Sequence, residues 1–143
     1  MATERRRTIV VRPLRKQAGH LALVPSMPRT HVLIVDDDPD ILQVLEAYLK
    51  HHGMRISTAR RAAVARAIWM RDAVDLLLAD ARIPGENGIS LTRAAADSGI
   101  STIIMSGDLA WAVSQGADAD ALLAKPFDLA AAHDRVLAVL ARR

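Results

Sequence analysis

HVLIVDDDPDIL, residues 31–42, sets three carboxylates, Asp36, Asp37 and Asp38, at the end of an apolar run. Val32 to Val35 form a short, continuous apolar stretch, as expected for a strand buried on both faces. Asp38 or its neighbour then caps a helix, with Pro39 in the first turn, where a missing N–H costs nothing. Ile41, Leu42, Leu45 and Leu49 recur at helical spacing, and Gly53 is the expected left-handed stop. His51 and His52 in the last turn point to different faces and read as a solvated pair, not a metal site. Like charges packed at a strand end repel, and desolvation aggravates the repulsion. A cation is the natural remedy.

Further along, two hydrophobic periods alternate. A weak strand is expected near Arg55 to Thr58, then an Ala-rich helix from about Arg61 to Arg71 carrying Val64, Ile68 and Trp69. DLLLAD (75–80) is a second buried strand, and RIPGENG after it is turn chemistry. A helix around Ile89 to Asp97, a strand at Thr102 to Met105 and a short helix over Leu109 to Gln115 come next. ALLA (121–124) is the last strand, and Leu129, Val136, Leu137 and Leu140 stripe a terminal helix. Five strands alternating with five helices predict an α/β fold: a doubly wound, five-stranded parallel sheet covered on both faces. Ligands of such sheets bind beyond the carboxyl ends of the strands, where the strand order reverses. Asp36 to Asp38, Asp80, Ser106 and Lys125 all stand just past strands at that edge.

VLIVDDDPDI (32–41), DLLLADARIPGENG (75–88), IIMSG (103–107) and LLAKPF (122–127), in that order, resemble the receiver domain of bacterial two-component response regulators. The resemblance implies a flavodoxin-like sheet of order 2-1-3-4-5 over residues 31–143. It implies that Asp80 is the phospho-acceptor, charged by a sensor histidine kinase or a histidine phosphotransfer protein. Asp37 and Asp80 would ligate Mg²⁺ directly and Asp36 through water, with the backbone carbonyl of Arg82 adding an oxygen. Ser106 would hydrogen-bond the phosphoryl group and Lys125 would pair with it. The chemistry agrees: Mg²⁺ takes about six oxygens at roughly 2.0–2.1 Å and keeps several waters. Phosphoryl transfer needs charge on the transferring oxygens met by cations and donors. Such a domain is no enzyme beyond self-phosphorylation and self-dephosphorylation. Arg82 and Asp108, each two positions past a site residue, are expected to meet as an ion pair at the rim.

The sequence departs from the family at two positions. Leu122 stands three residues before the strand-five lysine, where receivers usually carry Tyr or Phe, and Ser106 stands where Thr is commoner. Leu122 should stay buried and leave little to flip, so the changes on phosphorylation are expected in the loops around Asp80, Ser106 and Lys125. The segments from Asp80 to Ser106 and from Ser106 to Lys125 look short, so the third and fourth helices are expected to be trimmed. Two alternatives stay open. A haloacid-dehalogenase-like Mg²⁺-dependent phosphatase would use Asp36 and Asp38 as its Asp-x-Asp pair, and turnover of small phosphate esters would reveal it. A degenerate receiver would act as a phosphorylation-independent interaction module.

The 143 residues suit one domain, and with half of them hydrophobic the chain is globular. There is no Cys, which removes disulfides, thiolate metal sites and thiol catalysis. No apolar run approaches the roughly 20 residues of a membrane span. RRRTIVV near the start hints at export, but Arg12, Pro13, Arg15 and Lys16 interrupt it, so a cytoplasmic location is expected. The first 31 residues hold seven Lys/Arg against Glu4, leaving twelve basic and fifteen acidic residues for the rest. Residues 1–30 therefore read as a basic, flexible extension, with Met27 as an alternative start. Nucleic-acid contact would be confined to that arm, which has neither aromatics nor an amphipathic repeat. Nothing resembling an output domain stands after the terminal helix, so a stand-alone relay is expected, its downstream target being a protein.

Overall fold

The apolar runs at 32–35 and 76–79 form adjacent central strands, and the rest of the fold is laid out around them. The structure, a computed structural model, describes residues 10–13, 23–26 and 29–143. In chain order the body comprises β1 (His31–Val35), α1 (Pro39–His51), β2 (Arg55–Ala59), α2 (Ala62–Arg71) and β3 (Leu76–Asp80). It continues with α3 (Gly88–Asp97), β4 (Ser101–Ser106), α4 (Leu109–Ser114), β5 (Leu122–Ala124) and α5 (Leu129–Leu140). The five strands make one parallel sheet of order β2-β1-β3-β4-β5. Within the basic arm, Val10–Pro13 pairs antiparallel with Leu23–Ser26. No described helix is long and apolar enough to cross a membrane.

Alternate residues of each strand feed opposite layers, as the period of two demands. Val32, Ile34, Leu76, Leu78, Ile103 and Met105 pack with Leu42, Leu45 and Leu49 of α1 and Val136 and Val139 of α5. Leu33, Val35, Leu77 and Ala79 pack on the other face with Ala65, Ile68 and Trp69 of α2 and Leu91 and Ala95 of α3. Two assignments made from periodicity change. Val64 and Leu137 are exposed, and the buried stripes run instead through Ala62, Ala65, Ile68 and Trp69, and through Ala132, Val136 and Val139. Of the two helices expected to be short, α4 has six residues, whereas α3 has ten, as many as α2; Ala119–Ala121 forms a 3-10 turn, so β5 begins only at Leu122.

The opposite edge of the sheet carries a buried polar anchor. His31 is 2% exposed, and its Nδ1 lies 2.8 Å from the Ala73 carbonyl, which can only accept. The proton therefore sits on Nδ1, and Nε2 accepts from Ser57 Oγ at 2.7 Å. Burial holds the imidazole below its ordinary pKa of 6.5, against the opposing pull of the Ala73 carbonyl, Asp72 and Asp75, while Arg55 adds to the lowering. A histidine depressed in the folded state is protonated first in the unfolded chain. Its contribution is thus intact above pH 6.5 and is lost as the pH falls through the folded pKa. The urea midpoint should fall between about pH 7.5 and about pH 5.5, and His31→Gln should reduce that fall. Equal pH slopes in the two proteins would refute the assignment.

Candidate functional site

The ends of β1 and β3 lie side by side at the point where the strand order reverses. Val35 is paired with Ala79, which sets Asp36 beside Asp80. The ladders continue past the strand ends and hold the site backbone: Asp36 N–H donates to the Ala59 carbonyl (3.1 Å) and Lys125 N–H to the Ser106 carbonyl (2.8 Å). Lys125 reaches across the edge, its Nζ donating to Asp36 Oδ2 at 2.8 Å and Asp80 Oδ2 at 3.0 Å. Asp36 is fully buried, while the Asp80 side chain keeps 15% exposure. Burial pushes the Asp36 carboxyl above the usual carboxylate range, with Lys125 and the Asp38 N–H offsetting only part of that cost and Asp80 adding to it. Burial also opposes the charge on Lys125, but its hydrogen bonds to Asp36 and Asp80 overcome this and raise its pKa. The ammonium is thus firmly held between two carboxylates.

One oxygen from each of Asp36, Asp37 and Asp80 lies within 4.8 Å of the others, with Asp37 at the exposed side. Three hard carboxylate oxygens suit Mg²⁺ and not a softer metal that prefers imidazole or thiolate. His51 and His52 are exposed and take no part in the cluster. Asp38 is also outside it: its Oδ1 accepts from Asp40 N–H at 2.9 Å and caps α1. This disfavours the Asp-x-Asp reading, which needs Asp38 beside Asp36 in the chemistry. Sequence reasoning missed Arg60, whose guanidinium donates to the Asp37 carbonyl at 3.1 Å and fixes the acidic loop.

Ser106 is buried, but its Oγ donates to the Asp108 carbonyl (2.9 Å) and accepts from the Asp108 N–H (3.0 Å). The hydroxyl is therefore tied to the α4 turn. Arg82 begins beside Asp80, its backbone N–H donating to Asp80 Oδ1 at 3.1 Å. The expected Arg82–Asp108 ion pair is not made. Asp108 Oδ1 instead accepts from Trp111 N–H at 2.9 Å as the α4 cap, and the Arg82 guanidinium lies 4.3 Å from the centroid of the Trp111 ring. The only hint of this in the sequence is the three-residue spacing of Asp108 and Trp111, which marks a helix start.

After Asp80 the chain makes a small hairpin, Arg82–Ile83 against Glu86–Asn87, turning at Pro84 and Gly85, with Gly85 at φ 83°. Arg66 of α2 clamps it through an ion pair to Glu86. Gly88 then passes so close that an added Cβ would lie 1.9 Å from the Asp80 carbonyl oxygen. Gly88→Ala should cost about 1–3 kcal/mol in urea unfolding by forcing backbone apart, and should slow any chemistry at Asp80. Unchanged stability in that variant would show that the hairpin yields freely. Two grooves flank the start of α1. One, of about 1140 Å³, reaches Asp37 and Arg60; the other, of about 790 Å³, is lined by Ile41, Val44, Phe127 and Leu129 beside Lys125.

Comparison with known proteins agrees with this fold. The family profile described as "Response regulator receiver domain" matches residues 32–137. The transcriptional activator protein PfeR of Pseudomonas aeruginosa is 29% identical over 161 residues, covering 97% of this chain and 52% of PfeR. The TorCAD operon transcriptional regulatory protein TorR of Escherichia coli K12 is 39% identical over 64 residues, 45% of this chain and 28% of TorR. The chain thus spans about half or less of these relatives' length. A CheY-like receiver domain protein of Methanospirillum hungatei superposes with TM-score 0.71 at 24% identity, covering 80% of this chain and 96% of that one. The signal receiver domain of an HD domain-containing protein from Pseudomonas fluorescens gives 0.71 at 25%, covering 80% and 97%.

Proposed function

The chain belongs to the response regulator receiver domain family, and on that premise we propose that it accepts a phosphoryl group on Asp80 and relays the signal by protein–protein contact. The donor is a phosphohistidine on a sensor histidine kinase or a histidine phosphotransfer protein. The observation that carries this reading is the Lys125 ammonium held on both Asp36 and Asp80, with Asp37 completing a three-carboxylate cluster around the acceptor. In the transfer, an Asp80 carboxylate oxygen attacks phosphorus. The phosphorus–nitrogen bond breaks, its electron pair stays with the donor imidazole, and that ring takes a proton from solvent. The product is an acyl phosphate. A carboxylate is a weak nucleophile, and it suffices because the phosphoramidate is already reactive.

Asp37, Asp80 and the Arg82 carbonyl would hold Mg²⁺ directly and Asp36 through water, and the bound ion would supply positive charge to the transferring oxygens. Lys125 is already in place to move from Asp80 Oδ2 onto a phosphoryl oxygen, and Ser106 would exchange its Asp108 partners for the phosphate. The surface this reading assigns to the donor protein is the apolar groove beside Lys125, whose lining includes the exposed Val44 of α1.

The test needs no partner. Incubation with acetyl phosphate and Mg²⁺ should add the mass of one phosphoryl group, and chelation of Mg²⁺ should prevent it. No mass gain would reject the reading in favour of a phosphorylation-independent module. Steady turnover of small phosphate esters would favour the phosphatase.

A further inference from the structure

We propose that Trp111 is a positioning residue for Arg82, and that phosphorylation of Asp80 draws the Arg82 guanidinium off the Trp111 ring onto the phosphoryl group. The inference rests on the proposed chemistry at Asp80. Arg82 is rooted at the acceptor through its N–H to Asp80 Oδ1, and its guanidinium sits 4.3 Å from the centre of the indole. Among the described residues no carboxylate pairs with Arg82, so the ring is its partner in the unmodified protein. An exposed cation–π contact is weak, whereas a guanidinium on phosphoryl oxygens makes strong, charge-assisted hydrogen bonds. New negative charge at the root of the side chain therefore wins the guanidinium.

The surroundings of the ring give the move a consequence. Trp111 packs against the small cluster of Ala81, Ile89, Ile104, Ala112 and Leu122. Leu122 is the residue standing where receivers usually carry an aromatic, so on this side of the sheet the aromatic comes from α4 instead. Helix α4 is short, buries only Ala112, and exposes Leu109 and Val113. Ser106 and Asp108 connect the same helix start to the site. Loss of Arg82 from the ring frees Trp111 and loosens α4.

Trp69 is the only other tryptophan, so Trp69→Phe isolates Trp111. If that change disturbs the core, subtracting the spectrum of Trp111→Phe isolates the same signal. With Mg²⁺ and beryllofluoride, acrylamide quenching of Trp111 should rise by about two-fold, the scale of losing an exposed cation–π partner. Arg82→Ala should show the raised value without the ligand and no further rise with it. Asp80 phosphorylated by acetyl phosphate, as read by mass, with Trp111 quenching unchanged by beryllofluoride would overturn this inference and leave the proposed function standing. An Asp80 that takes no phosphoryl group would overturn both.

Discussion

Asp80→Asn is expected to gain no phosphoryl mass from acetyl phosphate while staying fully folded. On the proposed chemistry the amide lacks the anionic oxygen that would attack phosphorus, so the loss should be complete and not a matter of degree. Stability should hold or rise, because the substitution removes a negative charge from beside Asp36, which is wholly buried and already pushed above the usual carboxylate range. Lys125 keeps Asp36 as its partner, 2.8 Å away, so no buried charge is left unpaired. Intact mass spectrometry and urea unfolding on the same preparation separate the two effects. A full mass gain in Asp80→Asn would move the acceptor elsewhere in the acidic cluster. A collapse of stability would show that Asp80 holds the strand edge together.

The sheet and the composition of its carboxyl edge were legible because both depend on short-range pattern. Val32 to Val35 and Leu76 to Ala79 could be buried only as central strands, and the strands of a parallel sheet all end at one edge, where the residues just past each of them gather. Asp36, Asp37, Asp80 and Lys125 meet there as expected. The features that stayed hidden depend on tertiary angles. Val136 and Leu137 are neighbours about 100° apart on the same helix, and only the tilt of α5 on the sheet decides that Val136 is buried and Leu137 exposed. Val64 fails for the same reason on α2, where small Ala62 and Ala65 let the helix approach by another face. Side-chain direction at the rim was equally hidden. Charge alone pairs Arg82 with Asp108, yet Asp108 is needed as the cap of α4 and the Trp111 ring lies within Arg82's reach. Ser106 likewise spends its hydroxyl on the α4 turn, which spacing along the chain cannot reveal.

Lys125→Met should have the largest effect on stability of any substitution at the site. Met matches the length of the aliphatic stem but leaves Asp36, 0% exposed, without the cation that it pairs with. Removing one partner of a buried pair costs about 3–5 kcal/mol. Here about 2–4 kcal/mol is expected, since Lys125 is 23% exposed and water can partly take its place. The pH dependence identifies the cause. A carboxyl whose folded pKa lies above 3.8 is protonated more readily in the folded chain, so it favours folding at acid pH. That advantage disappears as the pH rises from 3.8 through the folded value, and without Lys125 the folded value climbs further. The deficit of Lys125→Met against the parent should therefore be smaller at about pH 5 than at about pH 8. Asp36→Asn placed in the same protein should recover much of the loss, because an amide tolerates burial that an unpaired carboxylate does not. A double-mutant cycle in urea measures that coupling directly. Additive losses, or a deficit independent of pH, would show that Lys125 stabilises the edge through its stem, not through the charge it holds against Asp36.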